Sequence, residues 1–226
     1  MIKPLRFITS ITLIMLSLDS VIAQIPPSQK EVAEYGELHL AVHENNVKAV
    51  QLLLSKGEKP NLRDALRRTP VHIAAYASAY ETLRVLVKAG ADIRAMDFQE
   101  YDAITIAAVD NNVQMLKLAI ELGGDPQAVT SPYEGTALIA AAHLGHVEVV
   151  KTLIEAGAPL DHINNLDWTA LMEAVVLGNG GTNHTEVVRA LIAAGANRNL
   201  ADNEGVTPLQ HAEKAGYTAM IEILKK

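Results

Sequence analysis

From residue 36 onward the apolar positions fall into two alternating kinds of stretch. Some are short and built of small residues, such as Ile73-Ala74-Ala75 and Ala140-Ala141-Ala142. Others place aliphatic side chains at i, i+3 and i+4, as Val147, Val150 and Ile154 do with Val149 and Leu153. That spacing is the stripe of an amphipathic helix. In all pairs but one the two stretches are separated by asparagine or glycine: Asn45, Asn111, Gly145, Gly178 and Gly216. After each striped stretch comes another glycine, at 57, 90, 123, 157 and 195. A helix end that needs a left-handed residue selects glycine there. The pattern predicts pairs of short helices joined by tight turns, with a reversing, extended segment leading into the next pair.

The pairs keep a common period. Thr69-Pro70-Val71-His72 recurs as Thr136-Ala137-Leu138-Ile139, Thr169-Ala170-Leu171-Met172 and Thr207-Pro208-Leu209-Gln210. Degenerate copies stand at Gly36-Glu37-Leu38-His39 and Asp102-Ala103-Ile104-Thr105. The copies start at 36, 69, 102, 136, 169 and 207, so successive spacings are 33, 33, 34, 33 and 38. Threonine caps a helix through its hydroxyl, and proline at the next position has its φ already set. One such unit cannot bury its apolar face alone, whereas stacked units can.

The threonine-proline-leucine-histidine slot, the Gly145-His146 turn and exits such as Gly90-Ala91-Asp92 resemble ankyrin repeats. The resemblance covers roughly residues 31–226, in units of about 31–63, 64–96, 97–130, 131–163, 164–201 and 202–226. It implies an all-α solenoid of about six helix-turn-helix repeats with extended inter-repeat loops. The first copy lacks threonine-proline and carries Glu37, as a capping unit would. The third copy has Asp102 and Thr105 in place of threonine and histidine, a departure at the helix start. The last ends on Lys225-Lys226, a polar edge suited to a C-terminal cap. In the fifth unit Asn179-Gly180-Gly181-Thr182-Asn183 separates Gly178 from His184 and accounts for the longer spacing. These five residues are expected to lengthen the inter-helix turn. They form either a tolerated surface insertion, since lengthening a loop costs little, or a partner contact. Asn183-His184-Thr185 is also a glycosylation sequon, relevant only in a eukaryotic secretory pathway.

The N-terminus departs from this pattern. Lys3 and Arg6 precede the uncharged run from Phe7 to Leu18, and Val21-Ile22-Ala23 puts small residues before Gln24. Twelve helical residues reach only about 18 Å, short of a ~30 Å hydrocarbon core. Residues 1–23 therefore read as a secretory signal peptide, and 24–30 as a short leader. The expected location is the periplasm of a bacterium or outside the cell, with no membrane span once the signal is removed. The absence of cysteine fits an oxidising compartment and excludes disulfides, thiolate metal sites and a cysteine nucleophile. A formal net charge of −7 argues against nucleic acid as a partner.

Little in the sequence carries reaction chemistry. No phosphate loop or serine nucleophile elbow is present. Glu31 and Glu34 read as a solvated helix face. Of eight histidines, the resemblance assigns His39 and His72 to the helix-start position and His146 and His184 to the turn, all structural. His43 and His143 map to the end of a first helix and leave a metal-binding or enzymatic alternative open, though a zinc site needs more ligands than these. The main expectation is a non-catalytic, monomeric interaction module without cofactor. It would hold a protein partner on the concave face that the resemblance implies, as an immunity or antitoxin protein or as support for an envelope enzyme. First-helix ends contribute His43, Tyr76, Asp110, His143 and Leu177 to that face. The loops contribute Arg68, Phe98, Tyr101, Tyr133 and Trp168. Aromatic enrichment is usual at interface centres. Some of these rings could instead pack on the adjacent loop and stiffen the stack.

Overall fold

The computed structural model describes residues 26–226. The expected signal peptide and its cleavage point lie outside the described residues. Among the described residues there are thirteen helices. A short α1 (Gln29–Ala33) precedes six pairs: α2 (Glu37–His43) with α3 (Val47–Ser55), α4 (Pro70–Tyr76) with α5 (Tyr80–Lys88), and α6 (Ala103–Val109) with α7 (Val113–Glu121). The series continues with α8 (Ala137–His143) and α9 (Val147–Glu155), α10 (Ala170–Val176) and α11 (Thr182–Ala193), and α12 (Pro208–Ala215) and α13 (Thr218–Leu224). The expected leader is thus partly helical. α1 starts on Ser28, whose backbone N–H donates to the Glu31 carboxylate at 2.8 Å while the Glu31 N–H donates to the Ser28 hydroxyl. That reciprocal box satisfies two donors the helix start would otherwise leave open.

Each unit contributes one helix to each of two layers. The first helices α2, α4, α6, α8, α10 and α12 pack on one another in chain order. Their alanines explain the close approach: Ala74, Ala107, Ala108, Ala141, Ala142 and Ala174 are all buried. Second helices also pack on their neighbours, but α5 and α7 approach less closely. Those two are bridged on the surface by Arg84 and Glu121 at 2.7 Å. The core is a continuous aliphatic seam from Leu38 to Leu224 with little aromatic content.

Helix starts follow the sequence pattern. Thr136, Thr169 and Thr207 accept from the backbone three residues on. The departure at the third unit is a working cap, because the Asp102 carboxylate accepts from Thr105 N–H at 2.8 Å. The expected left-handed helix ends are present, Gly57, Gly90, Gly123, Gly157 and Gly195 having φ between 82° and 98°. The turn asparagines Asn45 and Asn111 are left-handed too, but Gly178 is not; in that unit the positive φ moves to Gly180.

The insertion therefore needs a correction. It does not simply lengthen a turn, because Thr182 and Asn183 form the first turn of a twelve-residue α11, where the other second helices have seven or nine. Gly180 lies against the Tyr217 ring of the sixth unit, where an added Cβ would come within 2.4 Å. The Tyr217 hydroxyl donates to the Gly178 carbonyl at 3.0 Å. The inserted residues are therefore part of the packing between the fifth and sixth units.

Candidate partner-binding site

The loops are built alike. An Asx side chain accepts two backbone N–H groups from its own loop: Asp64 from Leu66 and Arg68, Asp97 from Gln99 and Tyr101, Asn164 from Leu166 and Trp168, and Asp202 from Glu204 and Val206. In the fourth unit the Ser131 hydroxyl accepts one such N–H, from Gly135. Neighbouring loops are tied together as well. Phe98 N–H donates to the Leu66 carbonyl, and Asn165 N–H to that of Tyr133. A stiff row of loops results, and the residue just before a helix cap is buried in some units, as Arg68 and Tyr101 are, and half-exposed in another, as Trp168 is.

That difference sorts the sequence-predicted residues. Phe98 is 50% exposed. Tyr133 and Trp168 are half-buried. Tyr101, expected at the contact surface, is only 3% exposed and belongs to the core. It stands just before Asp102, where the backbone turns the ring inward, and its carbonyl accepts from His72 Nε2 at 3.1 Å. Arg68 occupies the equivalent place and is also buried, so it is not a free loop side chain. Its guanidinium lies 2.6 Å from Asp64 and 2.9 Å from Glu31. Burial works against the Arg68 charge, but the Asp64 hydrogen bond and the two carboxylates outweigh it and hold its pKa above the usual value. Glu31 is thus a structural partner in the capping helix rather than a solvated face.

The helix-end register also needs correcting. His43, Tyr76 and His143 each close a first helix, whereas Asp110 and Leu177 are the C-caps one residue beyond, the helical ends there being Val109 and Val176. Asp110 is exposed and Leu177 half-buried at that position. His43 sits edge-on to Tyr35, with ring centroids 6.3 Å apart. The Tyr76 hydroxyl is buried without a hydrogen-bond partner among the described residues, and burial pushes its pKa up. Of the four histidines read as structural, His72, His146 and His184 make hydrogen bonds of that kind, whereas His39 is buried with no hydrogen-bond partner at Nε2 among the described residues and Gly36 caps its helix without a side chain. The Thr69 N–H donates to His72 Nδ1 at 3.0 Å, which leaves Nε2 to donate to Tyr101. His146 and His184 reach the carbonyls of Ala108 and His143 in the preceding units. Among the described residues no group of three histidine or carboxylate side chains gathers as a metal site.

Three of the ten proposed contact residues do meet. Tyr101, Tyr133 and His143 line one small, open cleft between the fourth and fifth units. The residue that organises this cleft was not singled out in the sequence. Glu173, on α10, is buried at its floor; its side chain accepts from His143 Nδ1 at 3.0 Å and from the Asn164 amide at 3.0 Å. Counting four residues from each helix cap gives Leu40, Ile73, Ile106, Ala140, Glu173 and His211. An acid in a register otherwise apolar as far as the fifth unit was the available signal.

Comparison with known proteins agrees with this architecture. The ankyrin-repeat family model of three copies matches residues 29–97 and 104–182, and the single-repeat model matches 166–203. The chain belongs to the ankyrin repeat family, and so to a class of protein–protein interaction modules. It is 40% identical to an ankyrin repeat domain from Acinetobacter baumannii AYE, over 83% of this chain and 95% of that one, with a TM-score of 0.79. The ankyrin repeat protein EF0377 is 29% identical over 84% and 97% of the two chains, also with a TM-score of 0.79. An ankyrin repeat protein of Escherichia coli (strain K12), YahD, is 29% identical over 93 residues, 41% of this chain. That match spans 46% of the YahD length.

Proposed function

We propose that this chain is an exported, non-catalytic adaptor of a bacterial envelope, acting as a monomer. It holds a protein partner on the row of loops and first-helix ends. The observation that carries the reading is the arrangement around Phe98, Tyr133 and Trp168. Their side chains stand wholly or partly outside the core while the backbone beneath them is fixed by Asx turns and loop-to-loop hydrogen bonds. Rigid backbone with projecting aromatic side chains loses little entropy on binding, and a few such anchors carry most of the energy of an interface. Two roles suit such a module: capping a secreted toxin as its immunity protein, or supporting an envelope enzyme. Export rests on residues 1–23.

Two measurements test the reading. Residues 1–23 fused to alkaline phosphatase should deliver an active enzyme across the inner membrane, and native full-length protein in the cytosol would refute export. Phe98→Ala with Tyr133→Ala should weaken capture of the partner at least tenfold, about 1.4 kcal/mol. Glu148→Ala with Lys151→Ala, on the second-helix face where the two form an exposed pair, should leave capture unchanged. The reverse result would overturn the choice of face.

A further inference from the structure

Glu173 is a carboxylate with an unusual setting for this chain. Its side chain is 5% exposed. Among the described residues no lysine or arginine pairs with it; its partners are an imidazole and an amide. A buried acid so lightly compensated costs stability, and the apolar residues at the same register in the first four units show that the stack does not need it. The walls around it are of a different character. Ile139, Ala140 and Leu166 give the cleft an apolar lining, Tyr133 flanks it and Tyr101 closes it from behind. An opening with apolar walls and an anionic floor matches a ligand with an alkyl stem and a cationic end. Lysine and arginine side chains have that form, since their methylenes pack on apolar surface while the head seeks a charge or an aromatic face.

We infer that the cleft between the fourth and fifth units is a specificity pocket for one basic side chain, lysine or arginine, of a partner polypeptide. Its stem lies along Ile139, Ala140 and Leu166, and its cationic head pairs with Glu173 beside Tyr133. His143 and Asn164 hold the carboxylate in place from the other side. The acidic balance of the chain, −7 overall, favours approach of such a partner. This assignment rests on the adaptor reading and adds the chemistry of the partner's anchor.

The test uses n-butylguanidinium as probe and n-butylurea as its neutral isostere. It is run at about pH 8, above the ordinary imidazole range, on the mature chain followed by amide chemical shifts. The guanidinium should give saturable shifts at residues 133–143 and 164–173, and the urea should bind at least tenfold more weakly. Glu173→Gln should lose the guanidinium response at least tenfold. Ala140→Lys, at a half-buried wall position, should block the probe while leaving the fold and Glu173 intact, which keeps the test alive should Glu173→Gln fold poorly. Equal binding of the two probes, undiminished binding to either variant, or no saturable shift up to the solubility of the probe would overturn the proposal. A chain that binds the probe but loses no partner through the Phe98 and Tyr133 changes refutes the adaptor face and spares the pocket. Capture through that face by a chain that ignores the probe refutes the pocket alone.

Discussion

Two of the charged side chains buried in this stack, Arg68 and Glu173, are accommodated differently. At the N-terminal end Arg68 lies inside the molecule against Asp64 on its own loop and Glu31 on the capping helix α1. At the junction of the fourth and fifth units Glu173 lies inside against His143 and Asn164. In the first, a cation meets two carboxylates, and one contact runs across 37 residues of sequence to hold α1 on the stack. In the second, an anion meets one imidazole and one neutral amide at the floor of an open cleft. A charge surrounded by opposite charges serves as a structural tie. A charge left without a full counterpart at a cleft is available to a ligand. In the reading proposed above, the difference separates the part of the molecule that closes the solenoid from the part that would meet a partner.

The largest expected effect breaks the tie. Arg68→Met leaves Asp64 and Glu31 without their cation and should cost about 3 kcal/mol, since removing one member of a buried pair strands the others. Urea unfolding measures it, and a loss well under 1 kcal/mol would mean that α1 is held by something else.

Acid probes a third buried polar group, which lies between these two regions. Burial pushes His72 down to about 4 from its ordinary 6.5. The unfolded chain therefore takes up the proton first as pH falls. The contribution of a neutral His72 is complete above the unfolded value and is lost between about pH 6.5 and 4, an effect on the order of 3 kcal/mol. Glu31 adds in the same direction lower down. The Ser28 hydrogen bond holds its pKa below the usual value, with Arg68 contributing, so its share fades only as pH falls below the carboxylate range. Stability measured at neutral pH and near pH 4.5 should differ accordingly. His72→Gln, which copies the Thr207–Gln210 cap of the sixth unit, should flatten the upper part of the dependence. An unchanged profile in that variant would assign the acid sensitivity elsewhere.

A smaller effect is expected at the insertion. Gly180 has φ +68° and faces the Tyr217 ring, so Gly180→Ala should destabilise by about 1–2 kcal/mol. Deleting 179–183 should also be felt, through loss of the Tyr217 contact. A neutral thermal midpoint for both would return the segment to the status of a loose loop.

The smallest effect is the most informative. Glu173→Leu restores the residue type of the first unit at this register and should change stability by less than about 1 kcal/mol, because the desolvation cost removed with the buried charge offsets the hydrogen bonds that Asn164 and His143 lose. Calorimetry decides it. A loss above about 2 kcal/mol would make Glu173 a tie like Arg68 and erase the contrast between the two regions.

Much of this architecture follows from short-range information. The 33-residue period, the threonine and proline caps and the glycines at 57, 90, 123, 157 and 195 specify where helices start and stop, since caps and left-handed ends are decided within a few residues. That is why the repeat fold and the tying roles of His72, His146 and His184 could be read from the chain alone. The direction in which a loop side chain points is another matter. Arg68 and Tyr101 precede a helix cap just as Trp168 does, and nothing nearby in sequence says that the first two are buried and the third half-exposed. Arg68 turns inward because Glu31, 37 positions earlier, arrives on α1 to meet it. Glu173 becomes the floor of a cleft because His143, from the unit before, reaches its carboxylate. The repeat pattern determined the helices and their order, because those obey local rules. Only the stacked structure decided which charges are tied and which is left open, because each of those outcomes depends on a side chain delivered by another unit.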